Sequence, residues 1–355
     1  GLERDLDQAE YWYLQAAEQG LDQAFVNLGF LYNGDEEAKR DIQKAAYWFN
    51  QAAEQGNAMA QFNLAAIYLD NGEGPEGLAE ATKWFTASAE NGNVRAQLHL
   101  GQIYEGGRGG SPNAEQALHW YQMAADHGSS DAQCNLGVVY ISGQIVEQDF
   151  SEGLRWLQKA IDQNNLYAIT ALGELFEGGL GVPQDNSQAV HWFQTAADQG
   201  FSQAQYKLGA MYNNGAGVDQ SNTQALAWLQ KSADQGHPIA QYDVGVIHYH
   251  GRSVPQDYHE AMRWYRLSAE QGCADAQNNL GMIFHSGLGV ERDDATALHW
   301  YSLAAEQEFA GAQYNMGYMY LHGFGVEKNS VEATKWFRRA ADQGLEQAVA
   351  LFEGQ

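Results

Sequence analysis

All ten tryptophans of the chain stand in register: Trp12, Trp48, Trp84, Trp120, Trp156, Trp192, Trp228, Trp264, Trp300 and Trp336 follow one another at intervals of 36 residues. One column thus accounts for every tryptophan in 355 residues without an insertion or deletion. A fixed period of this length marks a repeat array, in which each unit buries its apolar face only by stacking on its neighbours. Length therefore does not count domains here, because such arrays grow by adding units to one elongated body.

Other columns keep the same count. A small residue stands four positions after each tryptophan, as at Ala16, Ala52, Ser88, Ala124, Ala160 and Ala196, and alanine stands twelve after it in all ten copies, from Ala24 to Ala348. Leu28, Leu64, Leu100, Leu136, Leu172, Leu208, Val244, Leu280 and Met316 come next, then an aromatic series, Tyr32, Tyr68, Tyr104, Tyr140, Phe176, Tyr212, Phe284 and Tyr320, interrupted by His248.

Ala9, Trp12, Tyr13, Ala16 and Ala17 recur at helical spacing, and so do Ala24, Leu28, Leu31 and Tyr32, so each unit is predicted to hold two helices. Gly20, Gly56, Gly92, Gly128, Gly200, Gly236, Gly272 and Gly344 separate the two, where a left-handed C-cap belongs. Asn164 suits the same conformation, whereas Glu308 implies strain or a different turn. Pro238 opens a second helix, where its missing N–H costs nothing. The predicted fold is an all-α solenoid of ten helix-turn-helix repeats forming one domain over 1–355. Its units run over approximately 5–40, 41–76, 77–112, 113–148, 149–184, 185–220, 221–256, 257–292, 293–328 and 329–355.

Glycine also recurs inside the second helix, at Gly29, Gly101, Gly137, Gly173, Gly209, Gly245, Gly281 and Gly317. Each costs roughly 0.5–1 kcal/mol relative to alanine. The expected return is close backbone approach, with a tryptophan of an adjacent helix as the natural occupant. Valines of the glycine-rich connectors (Val182, Val218, Val290, Val326) are expected to plug the junction between hairpins.

A net charge of −26 repels phosphate backbones, which excludes nucleic acid as the favoured partner and steers basic partners inward. At 45% hydrophobic residues, the chain has ample apolar material to fold. Cys134 and Cys273 lie nearly four repeats apart, too far for a disulfide in a linear stack. No apolar run approaches the ~18 residues of a membrane span. Gly1 falls inside an inter-repeat connector, which points to a longer parent chain and leaves any leader peptide illegible.

The pattern resembles the Sel1-like repeat family, relatives of the tetratricopeptide repeats. The resemblance is carried by Ala45-Ala46-Tyr47-Trp48-Phe49, Ala52-Ala53-Glu54-Gln55-Gly56, Ala60-Gln61-Phe62-Asn63-Leu64 and the connector Gly323-Phe324-Gly325-Val326. It covers essentially the whole chain. It implies a right-handed α/α superhelix whose first helices line the concave side, and an adaptor of bacterial origin, exported and concerned with the envelope or host contact; a monomer is expected. Some secreted members bridge their helices with disulfides, and this chain lacks the cysteines to do so.

Catalytic motifs are missing. His259-Glu260 begins like a zinc-protease helix, but Arg263 takes the second histidine's place. Gly106-Gly107-Arg108-Gly109-Gly110 resembles a phosphate loop in its glycines alone, and a connector is the plainer reading. His248, His250, His285 and His322 gather at the ends of second helices, where cations complement the dipole; metal binding across repeats is the sharper alternative. No catalytic residue, metal or cofactor is assigned.

Two columns bear on partners. The residue before each tryptophan reads Tyr11, Tyr47, Lys83, His119, Arg155, His191, Ala227, Arg263, His299, Lys335. Nine of these are cationic, aromatic or imidazole, a ladder able to grip carboxylates or rings. Every Lys or Arg of the ladder has a glutamate three residues earlier (Glu80, Glu152, Glu260, Glu332), which also fits plain intrahelical pairing. The second column is acidic throughout: Glu18, Glu54, Glu90, Asp126, Asp162, Asp198, Asp234, Glu270, Glu306 and Asp342 close the first helices, where the dipole disfavours an anion. Capping of the next helix is the expected compensation, in preference to calcium binding. Repeat five departs from the pattern at Ile161, Asn164, Tyr167, Ile169 and Thr170, either by compensated drift or to form a central apolar patch, and Asp35-Glu36-Glu37 replaces the usual connector in repeat one.

These features point to a non-enzymatic scaffold that binds a peptide or protein surface in its groove through Tyr11, Tyr47, Lys83, His119, Arg155, His191, Arg263, His299 and Lys335. The alternatives are an enzyme, or an enzyme inhibitor, acting on cell-wall material.

Overall fold

A computed structural model describes residues 5–34, 39–71, 74–107 and 111–352; among them every regular element is an α-helix. The helices alternate as the periodicity predicts. The first helices of the repeats are α1 (Leu6–Glu18), α3 (Ile42–Glu54), α5 (Gly74–Glu90), α7 (Ala114–Asp126), α9 (Phe150–Asp162), α11 (Asn186–Ala197), α13 (Asn222–Asp234), α15 (Tyr258–Glu270), α17 (Asp294–Glu306) and α19 (Ser330–Asp342). The second helices are α2 (Asp22–Asn33), α4 (Ala58–Asn71), α6 (Val94–Glu105), α8 (Ser130–Ser142), α10 (Leu166–Gly178), α12 (Ser202–Asn214), α14 (Pro238–His250), α16 (Ala274–Ser286), α18 (Ala310–His322) and the short α20 (Glu346–Val349).

The chain forms two compact units, Gly1–Ala171 and Leu172–Gln355, with the boundary inside α10. In the first unit each helix from α1 to α8 packs on the one that follows, and in the second each from α11 to α19 does the same. In both, the closest pairing is between the second helix of one repeat and the first helix of the next, not within a repeat.

Local chemistry starts each first helix at one column. Asp5, Asp41, Asn113, Asp149, Asp185, Ser221, Asp257, Asp293 and Asn329 accept a backbone N–H of the first turn, as Asp149 does from Glu152 at 3.0 Å. The N–H of the same residue donates to the last aromatic column of the preceding helix, as in Asp149 to the Tyr140 carbonyl at 2.9 Å. One residue thus caps a helix and ties it to the previous one. Repeat three has Gly77 in this position, and α5 begins earlier there, at Gly74.

The turn glycines adopt positive φ, from +76° at Gly20 to +90° at Gly272. Asn164 and Glu308 adopt it too, at 60° and 61°, so Glu308 makes the same turn as its counterparts. Its carboxylate offsets the strain by accepting from Gln313 Nε2 at 2.8 Å and from Arg339 Nη2 at 2.5 Å.

The interior glycines do allow close approach, but the occupant is not tryptophan. A Cβ on Gly29 would lie 2.5 Å from the Phe49 ring, and the equivalents at Gly173, Gly245 and Gly317 would strike Phe193, Tyr265 and Phe337. The residue seated on the glycine is therefore the one after the tryptophan, from the next repeat's first helix. The two neighbours point roughly 100° apart on a helix, so only one of them can face the glycine backbone.

A buried glutamine ladder runs through the repeats. Gln61, Gln97, Gln133, Gln205, Gln241, Gln277 and Gln313 donate to the carbonyls of Ala53, Ala89, Ala125, Ala197, Ala233, Ala269 and Ala305, each of which also accepts the backbone N–H of the turn residue three positions on. Most then accept an amide from the following turn, as Gln133 does from Gln163 at 2.8 Å and Gln241 from Gln271 at 2.8 Å. Repeat five carries Ile169 at this position, which has no amide to offer. Ile169 and Thr170 are buried, Thr170 donating to the Leu166 carbonyl at 2.8 Å, and Tyr167 is exposed. The connector valines are half-buried, and Val290 packs on the cluster around Tyr265 and Leu280.

Candidate protein-interaction surface

Every member of the ladder before the tryptophans is exposed: Tyr11, Tyr47, Lys83, His119 and Arg155 in the first unit, and His191, Arg263, His299 and Lys335 in the second. Helical geometry explains it. From repeat two onward the tryptophan and its successor turn inward, so the preceding position turns out. Within each unit these side chains share one register on successive first helices.

The glutamate pairing also forms. Lys83–Glu80 (3.0 Å), Arg155–Glu152 (2.5 Å), Arg263–Glu260 (2.6 Å) and Lys335–Glu332 (2.7 Å) are all i,i+3 ion pairs on the surface. Each exposed pair contributes under about 1 kcal/mol. The same bases lie over the tryptophan that follows: Lys83 on Trp84 at 5.1 Å, Arg155 on Trp156 at 4.8 Å and Arg263 on Trp264 at 4.4 Å from the ring centroids. Lys231 and Arg339 reach Trp228 and Trp336 from three residues beyond. Where the ladder carries tyrosine or histidine, the ring meets the tryptophan at an angle instead, as in Tyr47–Trp48 (4.9 Å, 77°) and His119–Trp120 (4.9 Å, 71°).

The tryptophans differ in exposure. Trp12 is 63% exposed, whereas Trp120, Trp156 and Trp264 are nearly buried. Trp156 Nε1 donates to Glu152 at 2.7 Å. The Arg155 guanidinium and, after it, this indole hold Glu152 below the usual carboxylate range. The buried Nε1 atoms of Trp120, Trp192 and Trp264 have no hydrogen-bond partner.

The acidic column does not cap the second helices. Glu54 accepts from Asn50 (2.8 Å), Asp126 from Gln122 (2.8 Å), Asp162 from Gln158 (2.8 Å), Asp198 from Gln194 (2.7 Å) and Asp234 from Gln230 (2.9 Å), all one turn back on their own helix. The second helices are capped by their own first residues where they are capped at all, as by Asn57, Asn93, Ser129, Asn165 and His237. The amide one turn back solvates the carboxylate with a hydrogen bond but leaves its charge in place.

Of the four clustered histidines, His285 bonds Asp294 at 2.7 Å and meets Phe324, while His322 stacks on Phe324 with centroids 5.5 Å apart. Among the described residues no group of three or more His, Cys, Asp or Glu is placed to hold a metal ion. The His259-Glu260 pair sits in the first turn of α15, with both backbone N–H groups on Asp257, and Glu260 is engaged by Arg263. Residues 108–110 of the glycine run and the Asp35-Glu36-Glu37 segment lie outside the described residues. Cys134 and Cys273 are both free thiols, the former buried. No helix among the described residues is long and apolar enough to cross a membrane.

Two features escaped the sequence reading. Asp243 replaces the asparagine found at Asn27, Asn63, Asn135, Asn279 and Asn315, and burial, followed by the nearby Asp275 charge, pushes its carboxyl up to about 6. The departure from the asparagine column was the available signal. The second is a cleft of about 510 Å³ beside Trp120, lined also by Glu90, Glu115, Gln116, His119 and Met123. Its walls come from two repeats, so no single column announces it.

The Sel1 repeat matches ten times along the chain, at residues 1–21, 26–57, 58–93, 94–129, 130–165, 166–201, 202–237, 238–273, 274–309 and 310–345. The chain belongs to the Sel1-repeat family. A Sel1 repeat protein from Oxalobacter formigenes is 35% identical over 86% of this chain and 89% of its own, with a TM-score of 0.60. A protective antigen of uropathogenic Escherichia coli displaying an SLR fold is 31% identical over 98% of this chain and 81% of its own, with a TM-score of 0.61. No curated protein matches. Sel1-repeat proteins are generally protein-interaction scaffolds, and their fold is typically non-enzymatic. The Sel1 units after the first two each open on a second helix and close on the next first helix, as 58–93 spans α4 and α5, which is the pairing that packs most closely.

Proposed function

We propose that this Sel1-repeat protein is a scaffold that binds a peptide or protein surface along the exposed faces of its first helices. Tyr11, Tyr47, Lys83, His119, Arg155, His191, Arg263, His299 and Lys335 supply the contacts. The observation that carries this reading is that all nine are exposed, each in the same position beside a tryptophan. An array of exposed bases and rings in an acidic protein offers hydrogen bonds, cation–π contacts and stacking at regular intervals. The ion pairs with glutamate do not compete with binding, because an exposed pair is weak and leaves guanidinium donors free. Affinity is then assembled from many modest contacts, so single substitutions weaken it and none abolishes it.

The test is affinity capture from a lysate of the source cell, with bound proteins quantified by mass spectrometry. Two triple variants are compared with the parent: Lys83→Ala/His119→Ala/Arg155→Ala in the first unit and His191→Ala/Arg263→Ala/His299→Ala in the second. Reduced capture with unchanged helicity is the expected result. Undiminished capture by both variants removes the assignment.

A further inference from the structure

The cleft beside Trp120 contains charges that nothing among the described residues engages. Glu90 closes α5 and Glu115 stands in the first turn of α7, and neither has an ion pair or side-chain hydrogen bond among the described residues. For Glu90 the reason is local. Its counterparts at 54, 126, 162, 198 and 234 take a hydrogen bond from an amide four residues earlier, but repeat three has Thr86 there, whose hydroxyl donates to the Thr82 carbonyl at 2.8 Å.

The tryptophan is equally unprovided for. At Trp84, Trp156, Trp228, Trp264 and Trp336 the chain lays one of its own cations over the ring. At Trp120 it does not. His119 meets this ring edge-on, at 71°, and leaves its face without a cation. The base and glutamate that flank Trp156 are replaced at repeat four by His119 and Gln116, and the acids beside Trp120 stand elsewhere, Glu115 one residue earlier on α7 and Glu90 at the end of α5.

We propose that this cleft receives the arginine or lysine side chain of a protein partner, paired with Glu90 and Glu115 and packed on Trp120 and Met123. The inference rests on the scaffold reading and names the chemistry of the partner. A volume of about 510 Å³ accommodates a long basic side chain, and the net charge of −26 draws such a partner in. Burial against an aromatic ring strengthens the contact beyond what two surface carboxylates alone provide.

The experiment uses the full chain labelled with nitrogen-15, the Trp120 indole resonance being assigned by its loss in Trp120→Phe. Blocked pentapeptides Gly-Gly-X-Gly-Gly are titrated, with arginine, lysine or the uncharged isostere citrulline at X. The arginine and lysine peptides are expected to shift Trp120 saturably and the citrulline peptide is not. Glu90→Gln/Glu115→Gln should weaken the response about fivefold or more at unchanged circular dichroism. An unmoved Trp120, an equal response to citrulline, or undiminished binding by the double variant overturns the proposal. The two readings fail separately. Capture lost in the Lys83/His119/Arg155 variant while Trp120 ignores all peptides removes the cleft and keeps the wider surface. A responsive Trp120 with capture intact in both triple variants removes the wider surface and keeps the cleft.

Discussion

Trp120 in repeat four and Trp156 in repeat five hold the same place in the fold, 36 residues apart and both nearly buried, yet they are surrounded differently. Trp156 has Arg155 and Lys159 over its ring, the latter 3.6 Å from the centroid, and its indole N–H on Glu152. Trp120 has an imidazole at its edge, no acceptor for its N–H, and an open acidic cleft alongside. Behind the rings the two repeats agree: Gly101 seats Tyr121 as Gly137 seats Leu157, and Gln97 and Gln133 satisfy equivalent carbonyls. The period therefore governs the buried side, where any change breaks packing, and leaves the outward side free to differ. Function has room only there.

The largest effects should come from the shared side. Gly101→Ala would drive a methyl into the Tyr121 ring, which is fully buried and held by its hydroxyl on Glu105 at 2.5 Å. Overpacking of this kind costs about 1–3 kcal/mol or more, offset by about 1 kcal/mol of improved helix propensity. Gly137→Ala meets the branched end of Leu157, which can pivot, and less closely the Gly153 carbonyl oxygen at 3.1 Å, and should cost less. Urea unfolding of both variants measures the difference; equal losses would mean that the tyrosine is no more confined than the leucine.

Next come Gln97→Leu and Gln133→Leu, each removing one of two hydrogen bonds to a buried carbonyl and the acceptor of His127 or Gln163, at a cost of about 1 kcal/mol. The two should agree within about 1 kcal/mol, since the ladder is common to both repeats. A larger gap would show that the His127 contact to Gln97 and the Gln163 contact to Gln133 are not equivalent.

The outward side should respond least in stability. Glu152→Gln is expected to cost about 0.5 kcal/mol, and Glu90→Gln/Glu115→Gln to fall within about 0.5 kcal/mol of the parent. Acid titration separates the repeats without any substitution. Glu152 is held below its ordinary value of 4.5 in the fold, so its contribution is complete above that value and disappears as the pH falls through the lower folded one. The Trp156 indole resonance should therefore titrate with a midpoint below 4.5, and a Trp120 resonance moving in parallel would erase the distinction between the two sites.

Much of the fold was legible because it rests on short-range rules. Helical spacing, the turn glycines and the left-handed Asn164 follow from steric limits on a few consecutive residues. The ladder at Lys83, Arg155, Arg263 and Lys335 was legible for the same reason, its glutamates lying one turn away. The acidic column misled because sequence spacing gave a neighbouring helix end as its partner, when an amide on its own helix lay closer. The glutamine ladder was missed because each rung spans 30 residues, from a helix to the turn of the next repeat.

The sequence by itself determined the period, the two helices of each unit, their turns and the outward column, because each is an interaction among residues within about one helical turn of each other or an exact recurrence of such a group. Only the tertiary structure decided that Phe49 and its counterparts, not the tryptophans, rest on the glycines. It alone decided that Glu90, Glu115 and Trp120 border one cleft. Both depend on how one helix rotates against another, and that angle is set by packing across the repeat junction, where spacing along the chain carries no information.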